Sequence, residues 1–420
     1  MSLHVVVIGA GIVGAATAVE LLRDGHRVTV IEPGTPGGTQ AASFGNGAWL
    51  SPASVVPMSM PGLWKKVPGY LLDPLGPLTI RWTALPELAP WLLRFILAGA
   101  TVPKVEATAR ALSALLSDSP LRHKALATEA GLGDLIVQGG LLYPFLSRRE
   151  FEAEALAWRL RRDNGVVWRE LDGAALRDYE PLLAPRYGFG VLVEAGGHCQ
   201  DPGAYVAGLV AYAQLRGAQV RQTHATAFDL HGGRLHGVRT PEGVIPCDRA
   251  VIAAGVRSKA LAAAAGDRVS LASERGYHVV VADPEVRPRT PIMPSDGKMA
   301  DTLTRTGLRA SGQVELAGID AAPNWRRADV LLDRLIASYP GLPRTIPEAR
   351  LSRWMGHRPS TPDGLPVIGP ASHSADIIHA FGHGHVGLAS GPITARIAAD
   401  LISGRAPTRT IAPYAAARFR

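Results

Sequence analysis

The sequence predicts a mixed α/β protein with two interleaved domains, one built on parallel strands and one on antiparallel sheet. An apolar run, residues 4–8, ends in glycines and a helical pattern, and a second apolar run ends in Glu32. Residues 270–320 instead show the alternating pattern of antiparallel strands. A third apolar run at residues 249–255 repeats the first pattern. The fold class is therefore predicted to be α/β (α+β, two-domain), with a Rossmann-type nucleotide-binding domain interleaved with an antiparallel-sheet domain.

The N-terminal glycines have the spacing G-x-G-x-x-G at a junction between strand and helix. Gly9 allows a tight turn, Gly11 allows the backbone to approach a pyrophosphate, and Gly14 allows the helix to pack closely on the sheet. Glu32 follows Gly11 by 21 residues, where it can accept hydrogen bonds from an adenosine ribose. The motif predicts a bound dinucleotide without distinguishing FAD from NAD. The predicted cofactor contacts here are Gly9, Gly11, Ile12, Val13, Gly14 and Glu32.

Composition argues against several other classes of protein. Of the 420 residues, 19% are charged and 47% are hydrophobic, which indicates a well-packed globular protein. The net charge of +8 comes from scattered arginines, whereas nucleic-acid-binding proteins usually cluster their basic residues. Cys199 and Cys247 predict neither a disulfide framework nor a metal site. No signal peptide and no uninterrupted apolar run of membrane-spanning length is recognised, so a cytoplasmic protein is expected.

The remaining elements follow from local patterns. The first helix is expected over residues 12–24, with Gly25 as its C-terminal stop. Four tryptophans, Trp49, Trp64, Trp82 and Trp91, lie in or near a Pro-rich region over residues 52–92, where they can serve as packing anchors or as a surface patch. Further elements are predicted as helices at 105–130, 149–164 and 201–215, a strand at 219–223, a hairpin turn at 231–234, a strand at 249–255 and a last helix ending near Leu401.

Three late segments bear on the choice of cofactor. The strand at 249–255 ends in Ala254 and Gly255, where backbone can lie against a cofactor, although plain core packing is the alternative. The second segment, residues 354–370, contains Gly356 and Arg358. The third, residues 381–392, alternates glycine with other residues before a helix whose N-terminus can face a flavin or a phosphate. A nicotinamide enzyme has no need for this second glycine-rich helix start, so the three segments favour FAD.

The motifs together resemble those of the FAD-dependent D-amino-acid oxidase superfamily, especially its D-amino-acid dehydrogenase branch. The resemblance covers nearly the whole chain. The run 274–278, Glu-Arg-Gly-Tyr-His, also resembles bacterial D-hydroxyproline dehydrogenases. Besides the N-terminal glycines, the motifs that carry the resemblance are Thr39–Gly47, Gly197–Gln200, Arg275-Gly276-Tyr277, the Arg-Pro-x-x-x-Asp-Gly segment from Arg358, and the Gly-His-Gly helix start at 382–384.

The resemblance implies a discontinuous FAD-binding domain, residues 1–50, 150–260 and 350–420. Residues 51–149 and 261–349 would form the substrate-binding domain. FAD is expected to be non-covalent, because neither cysteine lies in a segment like the covalent flavin sites of the sarcosine-oxidase relatives. The residues expected to contact the flavin or its ribityl chain are Ser43, Asn46, Gly47, Ala254, Gly255, Gly356, Gly382, Gly384, Val386, Gly387 and Leu388.

The resemblance also implies catalytic roles. Arg358 is expected to hold the substrate carboxylate, which suits the bidentate geometry of a guanidinium, with a surface arginine as the alternative. Tyr277 is expected to donate a second hydrogen bond to that carboxylate, unless it is a core tyrosine. His385 is expected to contact either the substrate or the flavin edge, with satisfied packing as the alternative. No general base is evident, and hydride transfer from the Cα of a neutral amine does not strictly require one.

The predicted reaction is the oxidative deamination of a D-amino acid, giving a 2-oxo acid or a cyclic imine, with electrons passed to a quinone or respiratory acceptor. The alternatives are another amine substrate such as D-hydroxyproline, glycine or sarcosine, and an electron-relay flavoprotein subunit of a hetero-oligomer. The Trp-rich, Arg-bearing region at residues 49–97 raises the further hypothesis of a peripheral contact with the inner face of a membrane.

Overall fold

The computed structural model describes residues 2–66, 69, 75, 76 and 78–420. The strands are β1 His4–Ile8, β2 Arg27–Ile31, β3 Trp49–Leu50, β4 Leu78–Ile80, β5 Ile136–Val137, β6 Leu141–Phe145, β7 Arg169–Asp172, β8 Phe189–Val193, β9 Gly197–Cys199, β10 Gln219–Arg221, β11 Ala227–His231, β12 Arg234–Thr240, β13 Gly243–Pro246, β14 Arg249–Ile252, β15 Ala272–Val281, β16 Ala300–Thr304, β17 Gly307–Leu316, β18 Leu351–Ser360, β19 Val367–Pro370 and β20 Ile377–Phe381. The α-helices are α1 Ile12–Arg23, α2 Leu85–Ala98, α3 Val102–Leu116, α4 Ser119–Glu129, α5 Arg148–Ala153, α6 Ala155–Asp163, α7 Gly173–Tyr179, α8 Pro202–Leu215, α9 Ser258–Ala264, α10 Arg326–Ser338 and α11 Gly387–Ile402.

The first sheet has the strand order β10-β2-β1-β14-β20-β19, and its strands are parallel except for β19 at one edge. Its central strands are almost completely buried on both faces, which explains their continuous apolar sequence. Ile8 lies opposite Ile31 on one side and Ile252 on the other. Because these strands end at one edge of the sheet, Gly9 and Glu32 lie there together, as predicted for a nucleotide-binding domain.

Helices α1 and α11 pack against each other and form a shared core with α8 and the parallel sheet. Almost every residue of α1 up to Leu21 is buried, and the helix ends as predicted next to Gly25, whose φ is +79°. The two helices are in close contact near their N-terminal ends, where a Cβ on Gly391 would lie 2.8 Å from Cγ1 of Ile12. The glycine-rich start of α11 is thereby held beside the glycine-rich start of α1.

The second sheet is antiparallel over β16-β17-β15-β18, and β4 joins it as a parallel partner of β17. Across the β15–β18 pair, Glu274 faces Arg358 and Gly276 faces Gly356. The β15–β17 pairing shifts between Arg275 and Tyr277, opposite a residue of β17, Gln313, whose φ is +58°. This bulge turns backbone groups of β17 toward the site described below.

The sheet partners of three strands bear on the predicted domain boundaries, which remain a prediction. Strand β18 was expected in the nucleotide-binding domain, residues 350–420, but it pairs along its whole length with β15 of the antiparallel sheet. Strands β7 and β8 were likewise expected there, in residues 150–260, but both belong to a sheet with β6. At β7, β8 and β18 the chain passes from one sheet to another. The local amino-acid composition does not show which sheet a strand joins.

Most predicted elements lie near their expected positions. The helices predicted at 105–130 and 149–164 are each broken in two, giving α3 with α4 and α5 with α6. The predicted hairpin joins β11 to β12, and Gly232 and Gly233 at its turn both have positive φ. In the Trp-rich region Trp49 and Trp91 are buried, whereas Trp64 and Trp82 are exposed. The part of that prediction on residues 67, 68, 70–74 and 77 lies outside the described residues.

Within the described residues, no individual helix has both the length and the apolar character needed to cross a membrane. Among the helices that the structure describes, one pair, Trp82–Ala98 with Val102–Glu129, meets those two criteria when taken together, and it is bent by 96°.

Asp301, in β16, carries an unusual buried carboxyl group. Neither of its side-chain oxygens has a hydrogen-bond partner, and burial, together with the charge of Asp296, raises its pKa well above the usual range. An unfolded aspartate releases its proton near pH 4, so this carboxyl costs the folded protein progressively more stability as the pH rises from about 4 toward the folded-state pKa. We therefore expect Asp301→Asn to stabilise the FAD-loaded protein by about 1–3 kcal/mol at pH 8. The two proteins should have similar thermal midpoints near pH 4, and an equal difference at both pH values would contradict this assignment.

Candidate functional site

A cavity of about 1450 Å³ lies at the carboxyl edge of the parallel sheet and extends beneath the antiparallel sheet. It exceeds the usual volume of a pocket for one small molecule, and a dinucleotide and a small substrate together would need such a space. The ends of β1, β2, β14 and β20 contribute to one part of its wall, and β15, β17 and β18 contribute to another.

The glycines of residues 9–14 are required by the backbone geometry. Gly9 has φ +103°, and a Cβ there would lie 2.6 Å from the carbonyl oxygen of Ala253. A Cβ on Gly14 would lie only 1.9 Å from the carbonyl oxygen of Gly9. Gly14 therefore shapes the turn from within and is absent from the cavity wall, whereas Gly9 and Gly11 line it.

Glu32 closes this end of the cavity. Its buried carboxylate accepts hydrogen bonds from the backbone N–H groups of Ala10 (2.8 Å) and Gly34 (3.1 Å). Glu32 also lines the cavity, as the sequence motif predicts for a ribose-binding acid. The carboxylate thus links the two loops that follow β1 and β2.

Residues 39–47, which we call the flavin loop, are held against the antiparallel sheet by Trp354. The indole Nε1 donates to the carbonyl oxygen of Thr39 (2.8 Å). A Cβ on either Gly45 or Gly356 would lie about 2.0 Å from atoms of this ring. Gly356 lines the cavity, but it must be a glycine because the ring of Trp354 occupies the space that its side chain would need. The loop also reaches α1, because Oγ of Ser43 accepts from the N–H of Ile12 (3.1 Å).

Arg358 lies flat across the face of β15 that borders the cavity. A Cβ on Gly276 would lie 2.3 Å from Nη2 of Arg358, so only a glycine at that position leaves room for the guanidinium. Nη1 donates to the carbonyl oxygen of Gln313 (3.0 Å) and Nη2 to that of Gly312 (3.4 Å). Nη1 of Arg358 also contacts Oε1 of Glu274 at 3.4 Å.

Gln313 was not anticipated from the sequence. Its positive φ places its carbonyl oxygen against Arg358, and its side-chain Oε1 accepts from Nη1 of the buried Arg327 (2.7 Å). No sequence signal marks a non-glycine residue that adopts this conformation. Gly276 did carry such a signal, because a glycine inside a strand often indicates a close approach by another group.

The structure does not bring Tyr277 to Arg358, so its predicted contact with a substrate carboxylate is corrected here. Side chains alternate along β15, and Tyr277 lies on the face opposite Gly276 and the cavity. Its hydroxyl donates to Oε2 of Glu315 (2.6 Å) and accepts from the N–H of Asn324 (3.0 Å). Tyr277 is therefore a buried, satisfied residue of the layer behind the site. The acid next to Arg358 on the cavity side is Glu274.

His385 projects into the cavity near Arg358 and Glu274. Its side chain is exposed to the cavity, and the enclosing cavity walls lower its pKa by desolvation. The charge of Arg358 lowers the pKa further, while the Glu274 carboxylate opposes the shift. The imidazole is accordingly neutral at neutral pH. His383, two residues earlier, is buried and forms a hydrogen bond between its Nε2 and Oγ1 of Thr394 (3.0 Å). Burial lowers its pKa to about 3.

The turn before α11 completes the wall. Gly382 and Gly384 have φ of +83° and +53°, so both adopt conformations that favour glycine. A short 3₁₀ turn at Gly384–Val386 leads into the helix, whose first residues face the cavity. With Tyr277 and Gly14 excepted, all predicted site residues line the one cavity: Gly9, Gly11, Ile12, Val13, Glu32, Ser43, Asn46, Gly47, Ala254, Gly255, Gly356, Arg358, Gly382, Gly384, His385, Val386, Gly387 and Leu388.

These features fit FAD. The N-terminus of α1 lies at one end of the cavity, and its N-cap residue Gly11 has no side chain to cap it. Ser43 takes up the N–H of Ile12, and the other N–H groups of this first turn suit a pyrophosphate. The flavin loop and the start of α11 border the part of the cavity nearest Arg358, where a flavin would supply the redox chemistry.

Attachment of the flavin is expected to be non-covalent. Cys199 and Cys247 are buried, burial raises the pKa of each thiol to about 12, and neither is among the described residues of the cavity wall. Precipitation with acid should leave all the yellow colour in the supernatant. Colour that remained in the protein pellet after washing would contradict this expectation.

Comparisons with known proteins identify the family of the chain. The family model described as FAD dependent oxidoreductase (DAO) matches residues 4–401. The chain is 54% identical over 416 residues to a D-amino-acid oxidase of Bradyrhizobium diazoefficiens, covering 99% of both chains. It is 32% identical over 413 residues to a D-amino acid dehydrogenase of Cereibacter sphaeroides, covering 96% of this chain and 93% of that one.

Solved structures resemble this fold at lower sequence identity. Glycine oxidase from Geobacillus kaustophilus matches with a TM-score of 0.74 and 21% identity, covering 99% of this chain and 98% of that one. L-proline dehydrogenase from P. horikoshii matches with a TM-score of 0.74 and 20% identity, covering 100% and 98%. At these identities the likeness is one of fold.

Proposed function

The chain belongs to the DAO family of FAD-dependent oxidoreductases, and from that premise we propose that it oxidises D-amino acids. Hydride would leave the substrate Cα for the flavin, and the imine would hydrolyse to a 2-oxo acid or leave as a cyclic imine. Relatives named D-amino-acid oxidase and D-amino acid dehydrogenase, each aligned over nearly the whole chain, support this substrate class.

The placement of Arg358 is the observation that carries the proposal. Its guanidinium lies over Gly276 in the cavity wall, with backbone carbonyls behind it. A guanidinium fixed in this way can bind a carboxylate through two parallel hydrogen bonds, which orients the neighbouring Cα. An inert electron-relay subunit would have no need for such a group.

His385 is the second residue to which we assign a catalytic role. A substrate amine must be neutral when hydride leaves its Cα, so the ammonium proton has to be lost first. The neutral imidazole of His385 faces the cavity beside Arg358 and can accept that proton.

Anaerobic reduction of the bound flavin tests the function directly. The protein would be mixed with matched D- and L-amino acids, including proline and hydroxyproline, and with glycine and sarcosine, while the visible flavin absorption is followed. Bleaching by D-enantiomers alone is the expected result. Bleaching by glycine or sarcosine alone would favour the alternative amine substrates, and no bleaching by any compound would favour an electron-relay subunit.

For the electron acceptor, we propose a quinone or another respiratory carrier, as expected from the resemblance to D-amino-acid dehydrogenases. The relatives carry both names, oxidase and dehydrogenase, so the two acceptors are compared in one experiment. The substrate-reduced enzyme would be mixed with oxygen and, separately, with a soluble quinone. Reoxidation that is faster with the quinone supports a dehydrogenase, and faster reoxidation by oxygen identifies an oxidase.

A peripheral contact with an anionic membrane is the partner proposal that accompanies a quinone acceptor. Helix α2 exposes Leu93, Arg94 and Leu97, and Trp82 is exposed just before it. Apolar and basic side chains together favour an anionic lipid surface. The protein should float with anionic liposomes at low salt and remain behind with zwitterionic ones. Failure to float with either would remove the membrane proposal.

A further inference from the structure

We propose that Glu274 binds the α-ammonium group of the substrate, and that this carboxylate selects amino acids over 2-hydroxy acids of the same shape. The inference rests on the proposed oxidation of amino acids and assigns a specificity-determining residue to the same site.

Glu274 is fixed on the cavity side of the antiparallel sheet. It lies in β15 directly across from Arg358 in β18, on the same face as Gly276, and it lines the cavity. The residue is only 6% exposed. A carboxylate in such a place is costly to bury unless cations or hydrogen-bond donors surround it.

The hydrogen bonds of Glu274 leave one oxygen available. Oε2 accepts from Oγ of Ser360 (2.9 Å), which fixes the orientation of the carboxylate. Oε1 has the 3.4 Å contact with Nη1 of Arg358, a long and therefore weak bond. Because each carboxylate oxygen can accept two hydrogen bonds, Oε1 retains capacity for a further donor.

Arg358 does not depend on Glu274 for its position. The carbonyl oxygen of Gln313 holds the guanidinium from the β17 side at 3.0 Å. The carbonyl oxygen of Gly312 adds a weaker contact of 3.4 Å, as long as the one to Glu274. If Glu274 served only to hold Arg358, a shorter, bidentate contact would be expected between them. The geometry instead leaves a cation and an anion side by side, both directed at the same cavity.

This pair is complementary to the head group of an amino acid. In the zwitterion a carboxylate and an ammonium are attached to one carbon, so the carboxylate can meet Arg358 while the ammonium meets Glu274. A 2-hydroxy acid places an uncharged hydroxyl where the ammonium would be, so it gains much less from the Glu274 carboxylate. His385 lies close enough to sense the charges of both residues, which puts a proton acceptor beside the same ammonium.

Two unreactive ligands of the same shape separate the ammonium contact from the carboxylate contact. 2-Aminoisobutyrate and 2-hydroxyisobutyrate both lack a hydrogen on Cα, so neither reduces the flavin, and their binding is measured from the shift in flavin absorption. In FAD-loaded Glu274→Gln we expect the amino ligand to bind 10- to 100-fold more weakly. The hydroxy ligand should change by less than about threefold. Glu274→Asp, which keeps the charge, should restore part of the selectivity.

Glu180→Gln is the matched control. Glu180, like Glu274, is a buried glutamate. Its carboxylate accepts a hydrogen bond from the backbone N–H of Arg289 (2.7 Å), and it is absent from the described cavity wall. This variant should bind both ligands as the unaltered protein does.

Equal weakening of both ligands in Glu274→Gln would overturn the proposal, because it would show that Glu274 acts only through Arg358. Unchanged binding of both would overturn it as well. If Glu274→Gln does not fold, the ratio of the dissociation constants for the amino and hydroxy ligands is measured in Glu274→Asp instead. If both ligands bind more weakly to Glu274→Asp but this ratio is the same as in the unaltered protein, the proposed contact is wrong. Flavin bleaching by D-amino acids in the unaltered protein is independent of these outcomes, so it shows separately whether the proposed function holds.

Discussion

Replacing Arg358 with alanine should lower kcat/KM for the best D-amino acid by about 10²- to 10³-fold, while FAD stays bound. The loss follows from removing the charged partner of a buried carboxylate, which costs roughly 2–5 kcal/mol. The variant also leaves Glu274 without its neighbouring cation, so a negative charge would face the substrate carboxylate. Steady-state kinetics should show most of the effect in KM, and the flavin absorption should confirm a full complement of FAD.

Arg353 provides the control, because it lies on the same strand but forms ion pairs with Glu348 and Asp329 at the surface. Arg353→Ala should leave kcat/KM within about twofold of the unaltered value, since exposed ion pairs contribute little. Arg358→Lys should recover part of the affinity, although a lysine cannot form two parallel hydrogen bonds. An unchanged KM in Arg358→Ala would show that another group binds the carboxylate.

Replacing Gly14 with valine is expected to abolish FAD binding and to destabilise the protein by about 3 kcal/mol or more. A single Cβ at this position would lie 1.9 Å from the carbonyl oxygen of Gly9, and valine adds two further carbons. The turn can accept that volume only if α1 moves away from β1, which would displace the N–H groups expected to face the pyrophosphate. Thermal unfolding and the ratio of flavin to protein absorbance measure the two effects.

Gly318→Ala is the matched control, because a Cβ on Gly318 would meet no atom within 4 Å and its φ is not positive. Its flavin content and thermal midpoint should stay close to those of the unaltered protein. A fully flavinated Gly14→Val protein would mean that the turn can relax without loss of the cofactor.

The N-terminal motif and the fold class could be predicted from sequence because the requirements are local. A positive φ at Gly9 and a close packing contact at Gly14 each demand glycine at one position, and the demand is visible in the chain itself. Helix periodicity and the alternation at residues 270–320 are likewise properties of short segments. Sheet partners are not local properties: β18, β7 and β8 pair with strands outside the segments with which they were grouped, because strand partners are chosen by distant segments.

The site could be predicted only in part. Strand β15 has no glycine spacing like that of the N-terminal turn, and one residue of register decides whether a side chain there meets the cavity or the layer behind it. Tyr277 was placed on the cavity side by resemblance, whereas the strand turns its hydroxyl toward Glu315. Glu274 and Gln313 were missed, because a glutamate in a strand and a glutamine at a bulge carry no distinctive pattern of their own.

By itself the sequence determined the glycine-rich turn, the position of the acid Glu32 after the second strand, the cofactor class and the presence of Arg358 in a late motif. Only the tertiary structure decided which residues stand beside Arg358. That neighbourhood is assembled from β15, β17, β18 and the turn before α11, and the bulge at Gln313 sets its geometry. Backbone conformation within a turn is governed by adjacent residues, whereas the pairing of a cation with a carboxylate across two strands depends on register and packing that form only when the chain folds.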